Sequence, residues 1–145
     1  MKKSIIILVL FLCTASTQAY CQQHKKIDTT SSVKNVYTSL FKQVLKGQGL
    51  DNKAVEMAYV DFPPRCTSAP HRHPCPVFVY VLKGEIVSVF EGKTHRYKAG
   101  DIFYETANGL HENSRNESTT VPARILVFFI KENINQQVLV PEHKM

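Results

Sequence analysis

The chain has 145 residues, 43% hydrophobic and 21% charged, with a formal charge of +6. This allows one domain around one core and excludes a disordered chain. Lysine and arginine are scattered without a run of five or more, which excludes nucleic-acid binding as a reading.

The N-terminus reads as a targeting segment. Met1-Lys2-Lys3 is a basic start, Ile5 to Leu12 is an unbroken apolar run, and small and polar residues follow up to Cys21. That order matches a secretory signal peptide over residues 1–21, cleaved after Ala19 or after Cys21. The apolar run falls short of the roughly 20 residues a membrane span needs, so no stable membrane anchor is expected after cleavage. Neither Cys13 nor Cys21 is preceded by the small residues that lipid attachment prefers. Loss of Lys2 and Lys3 lowers the formal charge from +6 to +4. The expected location is the periplasm or outside the cell.

Residues 22–32 are polar and aperiodic and read as a flexible leader. Val33 to Leu45 fits either a helical stripe or one or two strands. From there the pattern is β. Strands are expected at Ala54–Phe62, Val77–Leu82, Ile86–Phe90, Thr94–Tyr97, Ile102–Glu105, Leu110–Asn113 and Ala123–Ile130, with Val138–Val140 pairing at an edge. Turn signals separate them, among them Lys83-Gly84-Glu85, Glu91-Gly92-Lys93 and Ala99-Gly100-Asp101. Short strands at this spacing predict a single all-β sandwich or barrel, with no internal repeat or second domain. Eight Phe and six Tyr supply core volume in the absence of Trp.

Two of the six histidines, His71 and His73, stand one residue apart. On a strand they would share a face, about 6.6–6.8 Å apart along the chain, with parallel rings converging on one metal ion. His111 opens a later strand and is the third candidate ligand. His24 and His143 lie in polar tails, and His95 lies on an outward hairpin face. Cys66 and Cys75 could pair in an oxidising compartment. Two free, partly buried thiols, or Cys75 as a metal-bound thiolate, are the alternatives. No Ser/His/Asp arrangement, phosphate loop or Cys-x-x-Cys pair occurs.

These residues resemble the two motifs of the cupin family. In the first, His71-Arg72-His73 is followed by three residues, then Val77, then six residues, then Gly84. In the second, Gly100 is followed by Thr106 in a proline place, Asn108 in a glycine place and His111 in the histidine place. Arg115 stands in the asparagine place, one residue before Asn116. The resemblance implies a cupin domain over 33–145 with its motifs within 71–116. The implied fold is a double-stranded β-helix, or jelly-roll-like barrel, with His71, His73 and His111 lining its interior.

The chain departs from the family at Val77, where the motif has a glutamate ligand. Three readings follow: Glu105 supplies the carboxylate, three histidines and water hold the metal, or the pocket is metal-free. Tyr104 and Glu105 are expected near the barrel mouth, Phe78 and Tyr80 behind the histidines, and Arg72 pointing away. The resemblance implies one divalent transition metal (Fe, Mn, Ni, Cu or Zn) and a small-molecule ligand or substrate. It implies dioxygenase-like or related chemistry, or alternatively binding without turnover. A homodimer through edge strands is expected by the same analogy, and the Asn116-Glu117-Ser118 sequon is expected to be unused.

Overall fold

The computed structural model describes residues 34–142; the expected signal peptide, the whole leader, His24 and His143 lie outside them. Ten strands occur: β1 (Val36–Val44), β2 (Ala54–Phe62), β3 (His71–Arg72), β4 (Val77–Lys83), β5 (Glu85–Phe90), β6 (Lys93–Lys98), β7 (Ile102–Glu105), β8 (Leu110–Arg115), β9 (Ala123–Lys131) and β10 (Val140–Pro141). They form two five-stranded antiparallel sheets in the orders β1-β2-β9-β4-β7 and β10-β3-β8-β5-β6. The ambiguous segment from Val33 is resolved as a strand, because β1 finds eight register partners along β2. A bulge between Ser39 and Phe41 interrupts that pairing.

The first sheet is built on strict alternation. β2 and β9 each bury every second residue, as one covered face of a pleated sheet requires. Ala58, Val127, Val79 and Phe103 make one inward transverse row. A second inward row runs Lys42, Glu56, Phe129, Val77, Glu105, so one row carries two carboxylates.

The outward face of this sheet is also apolar. Phe41, Met57, Phe128, Phe78 and Tyr104 form one row across all five strands. Tyr59, Leu126, Tyr80 and Ile102 form the next. Phe78 and Tyr80 lie on this outward face, and Tyr104, expected near the barrel mouth, lies there with them. Even-numbered residues of β4 and β7 point away from the interior; Tyr104 is half exposed and packs at a tilt against Phe78 with ring centroids 5.0 Å apart. Strand parity decides this: Val77, Val79 and Val81 take the interior, so their neighbours cannot.

Two glycines are fixed by close approach. Gly84 has φ +72°, and a side chain there would meet Ala123 at 2.7 Å. At Gly109 a Cβ would come within 2.2 Å of the Phe90 ring, which packs edge-on to His111. The Glu91-Gly92 turn has both residues at positive φ, the conformation a two-residue hairpin favours. His95 is exposed on that hairpin, as expected. Asn116 is buried, and its amide donates to the carbonyls of Phe62 and Val121 at 3.0 and 2.8 Å.

Candidate metal centre

The histidines come from the second sheet. His71 and His111 are register partners on β3 and β8, which brings their ring centroids to 4.9 Å. β3 ends at Arg72, and Pro74 and Pro76 follow. His73 therefore leaves the strand, and its ring stands edge-on to His71 at 82° instead of parallel to it. The three rings still converge: one ligand atom of each lies within 4.8 Å of the others, so the trio could hold an ion.

Glu105 enters from the opposite sheet. It is the register partner of Val77, the position where the motif glutamate is missing. Its carboxylate lies 3.3 Å from His111 Nδ1 and 3.7 Å from His73 Nε2. The site thus has a carboxylate one strand away from the motif position. Cys75 lies outside this group. Both cysteines are free and buried, which is the free-thiol alternative, and no disulfide joins them. Burial raises both thiols, Cys75 to about 11.

The protons in this cluster follow from its contacts. His71 Nδ1 donates to the Ala69 carbonyl at 2.8 Å, and His73 Nδ1 donates to the Val138 carbonyl. A carbonyl only accepts, so both Nδ1 atoms carry the hydrogen and both Nε2 atoms are bare in the neutral rings. Those two Nε2 atoms face each other at 3.2 Å, lone pair against lone pair. His111 Nε2 sits between the Ser88 and Ser114 hydroxyls at 3.1 and 2.9 Å. With that nitrogen donating to a serine, Nδ1 is bare and faces Glu105. His111 Nδ1 and Glu105 Oε1 are buried without any hydrogen-bond partner. Unmade hydrogen bonds of this kind cost roughly 1–3 kcal/mol each. A cation among the four groups would satisfy them all. The Nδ1–H to carbonyl bonds are the outer contacts that orient a ligating histidine.

Burial favours the neutral form of His71 and His73. It lowers the pKa of His71 to about 4 and also lowers that of His73, against the opposing pull of their backbone carbonyls. Neutral imidazole is the form that binds metal.

The cluster opens on a cavity of about 440 Å³ with apolar walls from the first sheet. Sequence reading missed a second polar group, which lies in an adjoining recess. Glu56, on an inward position of β2, pairs with Lys131 at 2.8 Å and accepts from Tyr37 at 2.6 Å. Burial alone would raise the Glu56 carboxyl; bonds from Lys131, Tyr37 and Lys42 outweigh it and hold the pKa near 2. The signal was present, because Glu56 occupies the buried parity of a strand whose other buried residues are all apolar. Ser88 and Ser114 were also missed; Ser88 occupies the inward parity of β5. Arg72 points away from the cluster, as expected, to Glu142 and the Asn108 carbonyl.

Two antiparallel sheets enclosing a histidine-lined cavity define a barrel of the double-stranded β-helix class. The Cupin domain family matches residues 58–129, and the chain belongs to the cupin superfamily. An RmlC-like cupin from Shewanella frigidimarina superposes with a TM-score of 0.52 at 16% identity, over 67% of this chain and 76% of that one. The polyketide cyclase RemF from Streptomyces resistomycificus gives 0.57 at 15%, over 77% and 72%. An oxalate oxidase gives 0.55 at 27%, over 74% of this chain and 55% of that one. No curated protein sequence matches the chain.

Proposed function

We propose that the protein is an exported, metal-dependent cupin enzyme of the oxygenase type acting on a small molecule. Its metal would be held by His71, His73, His111 and Glu105. The observation that carries this reading is the convergence of bare histidine nitrogens with an unpartnered, buried carboxylate. Three imidazoles and one carboxylate suit Fe, Mn, Ni, Cu or Zn. When bound, such an ion with open positions polarises a coordinated oxygen donor. The chain's own residues do the rest. Ala69 and Val138 carbonyls fix two ring orientations, Ser88 and Ser114 fix the third, and the valine and phenylalanine walls exclude water.

Elemental analysis of the purified protein tests the centre. One transition metal per chain is expected, lost by His71→Ala and weakened at least 10-fold by Glu105→Ala. Full retention in Glu105→Ala would reduce the centre to three histidines; no metal even after reconstitution would sink it. Export rests on the N-terminal sequence pattern alone. The mature protein should start at Tyr20 or Gln22 by mass spectrometry, and an intact Met1 would refute it.

The same reading includes a homodimer, now through a sheet face. Antiparallel sheets ordinarily leave one face polar, whereas here the Phe41-to-Tyr104 row is apolar across five strands and the Tyr59-to-Ile102 row across four. From strand spacing, that face covers on the order of 500 Å² in projection. A standard interface buries about 800 Å² of accessible surface per partner. A second copy related by a two-fold axis would cover the same rows on both chains. Sedimentation should give a dimer that Phe78→Lys dissociates; a monomeric wild type would end the idea.

A further inference from the structure

Two recesses adjoin along β1, and their chemistry is opposite. Apart from the three histidines and Glu105, the metal cavity is walled mainly by side chains such as Val60, Val79, Phe103, Ile125, Val127 and Phe129. Among the described residues, no lysine or arginine lines it. The second recess, about 520 Å³ and more open, carries Lys42, Glu56 and Lys131. Tyr37 borders both recesses, together with Val138 and Leu139. Its ring leans on Phe129 at 6.5 Å between centroids. Its hydroxyl is spent on Glu56, on the lysine side.

This division bears on what the cavity accepts. An anionic group that reached the apolar walls would lose its hydration and meet no cation in exchange. The cost of burying an unpaired carboxylate is several kcal/mol. An uncharged apolar group would instead gain by leaving water. The nearest lysines, Lys42 and Lys131, stand behind Tyr37 and share one carboxylate, Glu56, at 3.1 and 2.8 Å, which leaves that recess with one net positive charge.

We propose that the cavity takes an uncharged, apolar molecule that presents oxygen donors to the metal, and that Tyr37 is the specificity-determining residue that keeps anions out. The inference rests on the metal centre proposed above and names the substrate class of that same site. It separates this chain from a site built for small dicarboxylates, in which a buried cation other than the metal would be needed.

Two catechols with the same chelating head and different tails make the test: 4-tert-butylcatechol and 3,4-dihydroxybenzoate. Their affinities for the zinc-reconstituted protein are measured by calorimetry, with zinc content determined on the same samples. Wild type should prefer the tert-butyl tail by roughly 100-fold, the scale set by burying an unpaired carboxylate. Tyr37→Ala, which opens the way to Lys42 and Lys131, should reduce that preference at least 10-fold. Tyr37→Phe, which keeps the ring and loses only the hydroxyl, should retain it. Equal affinities, or tighter binding of the carboxylate, on zinc-loaded wild type would overturn the inference alone. Failure to retain zinc would bring down the metal centre and this inference together. An undiminished preference in a folded Tyr37→Ala would leave the substrate class and remove Tyr37 as its cause. Should Tyr37→Ala not fold, a lost preference in Tyr37→Phe overturns the ring's role.

Discussion

The two sheets divide the labour unequally. The β1-β2-β9-β4-β7 sheet has three nine-residue strands and supplies most of the apolar core. The β10-β3-β8-β5-β6 sheet has strands of two to six residues and supplies His71 and His111, with His73 just beyond β3. The stable sheet holds the walls, and the shorter one aims the histidines. Glu105 is the exception, a donor reaching across from the edge of the stable sheet. The difference teaches that metal binding and fold stability should separate under mutation.

The largest stability effect should come from the wall. Phe62 is buried on β2, and Phe62→Ala should cost about 4 kcal/mol by the usual cavity penalty. Its denaturant midpoint should fall while metal stoichiometry stays that of wild type. A variant that lost its metal but kept its midpoint would break the comparison.

Somewhat smaller is the effect of opening the Glu56–Lys131 pair. Both side chains are about 2–3% exposed, and Lys131→Met strands a buried carboxylate that Lys42 can only partly serve. A loss of about 3 kcal/mol is expected. Replacing both residues, as Glu56→Leu with Lys131→Met, should recover most of it, because the desolvation cost of the pair goes too. A double variant less stable than the single one would show that the pair stabilises the fold by itself.

The last effect belongs to the histidine sheet, is a pH dependence and is comparable in size to that of the pair. His71 titrates near 6.5 in the unfolded chain and at about 4 when folded, chiefly through burial. Its contribution is therefore complete above pH 6.5, declines as the pH falls towards 4, and changes no further below. The total is on the order of 3 kcal/mol, and His73 adds in the same direction. Urea midpoints of the metal-free protein across this range, with His71→Gln for comparison, would read it. Parallel curves for the two proteins would exclude His71 as the source.

Most of the fold was legible because its strands alternate cleanly. Ala54–Phe62 and Ile102–Glu105 were read to the residue, and the His-x-His spacing with His111 identified the trio that the structure brings together. Val33 to Leu45 was not legible, since its apolar residues suit both periods and only pairing with β2 decides. Tyr104 was misplaced for a related reason. Its proximity to Glu105 in sequence suggested the cavity, whereas adjacent residues on a strand face opposite ways. Glu56, Lys131 and Tyr37 meet across three strands, and no local pattern announces a contact set by sheet order.

Val77 and Glu105 are register partners on adjacent strands, both directed at the same volume. A ligand position in such a barrel is consequently a property of the transverse row, which can be occupied from either strand. Two substitutions, one on each neighbour, suffice to carry a carboxylate across without moving the ion it serves. A search that demands a glutamate at one place in a linear string will discard chains that keep the same donor set. A search phrased in register would keep them.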